Sequence, residues 1–324
     1  MKRLVPSGAV LLTLIVAVAL VAPQSASATS LALKPGHYTF VCDSGTNVLQ
    51  LNGKAVTKAG VPVKCSDMNT LTVEIGTPGT TTPSTVDLRG VTGTDPGHFS
   101  GSMVYVYGPL TFLGSPVSDY VYTASGVLHG YGGADSLSGG LVAYGDVSVP
   151  AMIYGDDGND RLACQREGNC VLDGGLGNDV FAHWGRGSST GGPGDDVTSQ
   201  SRVPFDGGDG TDWVLLGNDS HLKVTAVAGT TNSVKIASDW ATYTAKAVER
   251  VKFSATGAVT ATMSPGVRYV IDICSYPNTL TVRVPAATWT QTDTLITAPG
   301  LAKVLLVTFF PCAVDPAAVN VVGV

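Results

Sequence analysis

An eight-residue pattern, Gly-Gly-x-Gly-x-Asp-x-apolar, recurs five times between residues 130 and 214 and limits what the chain around it can become. The matches read GYGGADSL (130–137), GDDGNDRL (155–162), GGLGNDVF (174–181), GGPGDDVT (191–198) and GGDGTDWV (207–214). The fourth position is always Gly (Gly133, Gly158, Gly177, Gly194, Gly210), and the sixth is always Asp (Asp135, Asp160, Asp179, Asp196, Asp212). Glycine this dense normally weakens a folded segment, because it has the most backbone freedom to lose. Five copies in one register point to a stacked repeat in which something specific makes the tract worth ordering.

The residue types indicate what that is. Glycine permits positive φ and lets carbonyls face a common point. Asp at the sixth position projects a short carboxylate towards the same point. The apolar eighth residue (Leu137, Leu162, Phe181, Val214) is expected to turn inward on a short strand. Hard oxygen donors in a flexible loop suit Ca²⁺ better than Mg²⁺, which demands stricter octahedral geometry. Carboxylates stacked at the roughly 4.8 Å strand spacing would repel by roughly 3 kcal/mol at an effective dielectric of about 20, and a dication between them reverses the sign. Without metal, so polar a tract has little apolar area to offset its chain entropy, so binding and folding are expected to be coupled.

These residues resemble the nonapeptide repeats of the RTX, or hemolysin-type, calcium-binding family, over about residues 130–215. The resemblance implies a parallel β-roll with two nonapeptides per turn and calcium ions shared between successive turns. Repeat starts at 155, 174, 191 and 207 are 19, 17 and 16 residues apart, in keeping with that. The other side of each turn is degenerate (CQREGNCVL, HWGRGSST, SQSRVPF), and the longer step from 130 to 155 is expected to bulge at LVAYGDVSV. The implied ligands are register Asp side chains and nearby carbonyls: Asp135 in the first repeat, then Gly155, Asp157, Gly158 and Asp160, then Gly174, Gly175, Gly177 and Asp179. They continue with Gly191, Gly192, Gly194 and Asp196, and end with Gly207, Gly208, Asp209, Gly210 and Asp212. Departures weaken the pattern: Tyr131 stands where the second Gly belongs, and Thr198 replaces the apolar eighth residue. Taken singly, any one Asp-Gly would be an ordinary turn.

The rest of the chain is consistent with an extracellular all-β protein. Of 25 acidic residues only three are Glu (Glu74, Glu167, Glu249), which leaves 22 Asp, and 40 residues are Gly. Lys2 and Arg3, an apolar run from Ala9 to Val21 and the Ala26-Ser27-Ala28 triplet read as a signal peptide over 1–28. Its removal takes the net charge from −6 to −8, and with no basic cluster nucleic acid is not an expected partner. Cys42, Cys65, Cys164, Cys170, Cys274 and Cys312 suggest disulfides; proximity favours Cys42–Cys65, Cys164–Cys170 and Cys274–Cys312 among about fifteen possible pairings. The expected organisation is an N-terminal β region (29–128) that continues a degenerate solenoid, a calcium-binding β-roll (129–216), a solenoid continuation (217–264) and a disulfide-tied C-terminal β cap (265–324). VLLVTFF near the end is too short to span a bilayer.

Catalytic motifs are sparse. None of the five His lies in an HExxH context. A Gly-x-Ser-x-Gly pattern occurs once, at Gly187–Gly191, inside the repeat tract rather than between a strand and a helix. His183 and Trp184, on a degenerate turn, read as packing or surface residues. The expectation is a secreted, non-catalytic calcium-binding protein with a structural or adhesive role towards an extracellular polysaccharide or cell-surface partner. The alternative is a carbohydrate-active β-helix enzyme. An adhesin reading would use Tyr105, Tyr107, Tyr120 and Tyr122, although Tyr alternating with Val is also ordinary for one strand face.

Overall fold

The computed structural model describes residues 28–323 apart from 44, 66–69, 92–102, 142–148, 167, 200–201, 218–220, 255–257, 273–279, 293–294 and 308–318. All elements among the described residues are strands, and nearly all join one large, mostly parallel sheet. No helix there is long and apolar enough to cross a membrane. Residues 1–27, the middle of the 130–155 step, and Cys274 and Cys312 lie outside the described residues.

Through the repeat tract the chain alternates a strand before the sixth-position Asp with one after it. The first is longer than the second at Asp160, Asp179 and Asp196, and in the last repeat both have five residues. The strands before it are Ala151–Gly158, Asn169–Leu176, Arg186–Pro193 and Phe205–Asp209; each pairs in parallel with the next. Those after it are Ser136–Gly139, Arg161–Cys164, Val180–His183, Val197–Ser199 and Trp213–Gly217, paired in the same way. Every strand therefore bonds to the strand two places on, and one circuit of two strands rests on the next as a rung.

Side chains at matched register form two buried rows. Starting at Leu31, one passes through Val73, Val104, Val121, Leu137, Leu162, Phe181, Thr198, Val214, Val251 and Tyr269 to Val304. The other runs from Phe40 through Val86, Phe112, Leu128, Ile153, Leu172, Ser189 and Phe205 to Ala245. All these side chains are buried. The period-two alternation of each strand sends one set of residues inward and leaves the other outside, so stacked rungs share one core. The first row links residue 31 to residue 304, so the Thr- and Pro-rich strands of the N-terminal region stack in the same register as the glycine tract.

Antiparallel additions flank the ladders. Near the N terminus, Thr39–Asp43 pairs with Val48–Leu51, where a disulfide joins Cys42 and Cys65. A hairpin, His221–Ala226 with Val234–Ser238, is inserted in the chain between Trp213–Gly217 and Arg250–Ser254, which still pair directly as successive rungs. A second disulfide, Cys164–Cys170, closes the corner opposite the Asp side. Both are the pairings that sequence proximity favours.

Phe181 is fully buried between Leu162 and Thr198, with its ring 5.7 Å from that of Phe205 across the core. Phe181→Ala should destabilise the protein by about 3–5 kcal/mol. Urea unfolding would show it, and a loss below about 1 kcal/mol would mean that the stacked rows are not the main core.

Candidate functional site: a buried carboxylate row

The five register Asp side chains are brought into one line. Each is buried, and its Oδ1 accepts the backbone N–H of the register residue one rung earlier. Asp135 N–H donates to Asp160 at 2.7 Å, Asp160 to Asp179 at 2.7 Å, Asp179 to Asp196 at 2.8 Å and Asp196 to Asp212 at 2.8 Å. The carboxylate thus bonds across rungs at the corner, where a side chain joins the backbone ladder.

Two further carboxylates cap the row, and sequence reasoning missed both. Asp119 N–H donates to Asp135 Oδ1 at 2.6 Å, and Asp212 N–H donates to Glu249 Oε2 at 2.8 Å. Asp119 had a readable signal: GSPVSDYV (114–121) has Gly first, Asp sixth and an apolar eighth residue, 16 residues before the repeat at 130. Glu249 had none, because the hairpin separates it from Asp212 by 37 residues. The end groups have donors of their own, and Glu249 is bonded at both oxygens. Asp119 Oδ2 accepts from Ser115 N at 2.6 Å and Oγ at 3.0 Å, and Glu249 Oε1 accepts from Asn232 Nδ2 at 2.6 Å.

The five middle carboxylates differ. Oδ2 of Asp135, Asp160, Asp179, Asp196 and Asp212 is buried without a hydrogen-bond partner. A Cβ added to the first glycine of each turn would strike that oxygen and also a carbonyl of the next rung. At Gly155 these are Asp160 Oδ2 and Gly174 O; at Gly174, Asp179 Oδ2 and Gly191 O; at Gly191, Asp196 Oδ2 and Gly207 O. Two oxygens therefore lie where a side chain at each first glycine would have to go. Burial, with neighbouring carboxylates adding to it, raises Asp135 to about 10, Asp160 and Asp196 to about 7, and Asp179 and Asp212 to about 6.

The fourth glycine is required for backbone reasons. Gly158, Gly177, Gly194 and Gly210 have φ between 127° and 151°, and a Cβ on any of them would collide with the fourth-position carbonyl one rung back. The second position is also left-handed, at Gly175, Gly192 and Gly208 and, with side chains, at Tyr131 and Asp156. Position five carries an outer ladder that bonds in the opposite direction: Asn178 N–H donates to Asn159 Oδ1, Asp195 N–H to Asn178 Oδ1 and Thr211 N–H to Asp195 Oδ1, all at 2.8 Å. Asp157 and Asp209 are exposed on the outside, away from the buried row.

The donor set on the inner side is entirely oxygen, with one unsatisfied carboxylate oxygen per rung. That chemistry fits a hard cation held by one Asp oxygen and backbone carbonyls. Side chains alone do not make such a site: no group of three or more His, Cys, Asp or Glu is placed to hold a metal among the described residues.

The Gly-x-Ser-x-Gly pattern has a packing explanation. Ser189 occupies the inner row between Leu172 and Phe205, and its Oγ lies 2.9 Å from buried His183 Nδ1. His183 Nε2 lies 2.9 Å from Arg186 O and donates to it, so Nδ1 accepts from the serine. Burial lowers the His183 pKa to about 4. This neutral pair is sealed in the core, which accounts for the serine and histidine there. Outside, Tyr105 and Tyr122 are register partners with parallel rings 5.4 Å apart, as cross-strand packing would give. No family model, curated protein or solved structure matches this chain.

The raised Asp pKa values set a pH dependence for the metal-free protein. A folded-state pKa above the ordinary 3.8 means that the native state holds protons the unfolded chain releases. Stability is then greatest below about 4 and falls as pH rises through about 6 to 7, with Asp135 extending the loss towards 10. His183 acts oppositely, its contribution being lost as pH falls from 6.5 towards 4. Five groups outweigh one, so the urea midpoint in EDTA should be lower at pH 8 than at pH 5; a midpoint that rises over that interval would contradict the ladder's energetics.

Proposed function

We propose that this chain is a secreted, non-catalytic calcium-binding β-roll whose glycine–Asp tract is stiffened by Ca²⁺ bound along the carboxylate row, and that it serves a structural or adhesive role outside the cell. The observation that carries this reading is the row of five buried Oδ2 atoms left without partners, while Asp119 Oδ2 and Glu249 Oε1 at its two ends have donors. A buried unpaired carboxylate oxygen is costly, and five in succession call for positive charge or protons. At neutral pH a dication supplies the charge.

Asp135, Asp160, Asp179, Asp196 and Asp212 would provide carboxylate oxygens, and the first-position glycines Gly155, Gly174, Gly191 and Gly207 would provide carbonyls. Bound calcium would neutralise the row and tie each rung to the next. Two disulfides suit an oxidising compartment. A glycan-cleaving enzyme would instead call on carboxylates open to substrate, and these five are buried.

Far-UV circular dichroism of the chain lacking residues 1–28, titrated with CaCl₂ and separately with MgCl₂, tests the proposal. Calcium should raise the β signal or the thermal midpoint, magnesium should not, and EDTA should reverse the change. A chain indifferent to calcium would remove the calcium reading. Asp179→Asn keeps an Oδ1 acceptor for Asp160 N–H but removes the charge. At pH 8 it should stabilise the EDTA-treated protein and shrink the calcium response; an undiminished response would place the ions elsewhere.

A further inference from the structure

The second position of each turn needs a left-handed backbone, and three rungs meet that need with Gly175, Gly192 and Gly208. The two rungs before them carry side chains there, Tyr131 at φ 69° and Asp156 at φ 68°. Such a conformation costs about 1 kcal/mol or more for a bulky residue, and strain of this kind concentrates at binding sites. These two residues are adjacent in space: Tyr131 N–H donates to Asp156 Oδ2 at 3.1 Å.

Around them lies an outward-facing cluster that nothing in the core requires. His129 Nδ1 is 3.1 Å from Asp156 Oδ2, and its ring lies parallel to that of Tyr154, its register partner, at 4.5 Å. Tyr131 stands at 45° to His129 with centroids 5.8 Å apart and is 40% exposed. Arg89, already ion-paired to Asp87 at 2.7 Å, lies 5.9 Å from the Tyr131 ring centre. Two residues earlier on the same strands, Val127 and Met152 are exposed and continue the face as an apolar strip to Val171.

We propose that this face is a binding site for a neutral oligosaccharide, with Tyr131 and the His129–Tyr154 pair as the aromatic platform and Asp156 as the hydroxyl acceptor. Aromatic faces bury the apolar C–H surface of a sugar ring, and a carboxylate makes charge-assisted hydrogen bonds to its hydroxyls. The polarity is selective. Arg89 is neutralised by Asp87, whereas Asp157 and Asp173 sit beside Asp156, so the face repels uronate chains. The inference deepens the adhesive role proposed above and rests on that reading only for the extracellular setting.

Glycine at position 131 or 156 is what the neighbouring rungs already use, so the substitution separates strain from binding. Isothermal titration calorimetry of the calcium-loaded protein with cellohexaose and maltohexaose, and with hexagalacturonate as the acidic control, reads the site. Binding of a neutral hexasaccharide is expected. Tyr131→Gly should weaken it by about tenfold or more, equivalent to about 1.4 kcal/mol, while leaving the thermal midpoint unchanged or raised. If Tyr131→Gly does not fold, Asp156→Asn, which keeps an acceptor for Tyr131 N–H, decides in its place and should weaken binding by a similar factor. The proposal is overturned if neither neutral sugar binds the parent protein, if hexagalacturonate binds better, or if the deciding variant binds as the parent does. Calcium-dependent circular dichroism on the same preparations separates failure of this site from failure of the calcium reading: absent sugar binding with an intact calcium response removes only this site.

Discussion

The rungs of this protein meet at a corner where a side chain joins the backbone ladder: a backbone N–H of one rung donates to the buried carboxylate of the next. Asp is suited to that task. Its side chain is short enough to stay within the corner, and its Oδ1 reaches the N–H one strand spacing away. The same geometry buries the second oxygen. Each added rung therefore gains a charge-assisted bond and acquires an unsatisfied Oδ2. At the ends, Asp119 Oδ2 and Glu249 Oε1 take hydrogen bonds from Ser115 and Asn232; in the middle, where glycine stands at the first position, Oδ2 has no such donor. The proposed calcium ions would resolve that imbalance.

Glycine serves the row in two separate ways. At the first position it makes room for the carboxylate oxygen and a neighbouring carbonyl. At the fourth it supplies a backbone conformation, and a close approach between rungs, that no L side chain tolerates. The second position is conformationally demanding but open to the outside. It is there that the chain can place Tyr131 and Asp156 at the expense of strain.

The inner rows show how tolerant the stack is of a polar layer. Thr198, Ser189 and His183 are all buried, and the imidazole stays neutral because burial penalises its charged form. Thr198 departs from the apolar eighth position, yet it is as buried as Leu162 or Phe181. Register placed it inside, and its hydrophobicity did not.

The local chemistry of the tract was legible in the chain. The sixth-position Asp, the obligatory fourth glycine, the inward eighth residue, the strand content and the nearby cysteine pairs all depend on residues a few positions apart, where sterics and periodicity act directly. What the tertiary structure alone decided is which residues become neighbours across rungs. Strand stacking compares positions by register rather than by distance along the chain. A hairpin hides Glu249 from its partner Asp212, and a 25-residue step separates Asp135 from Asp160. The same rule continues one buried row from Leu31 to Val304 through strands that share no motif, and it leaves one oxygen of each middle carboxylate buried and unpaired. No property of an isolated repeat determines that, because the partners of every such oxygen belong to the rungs on either side.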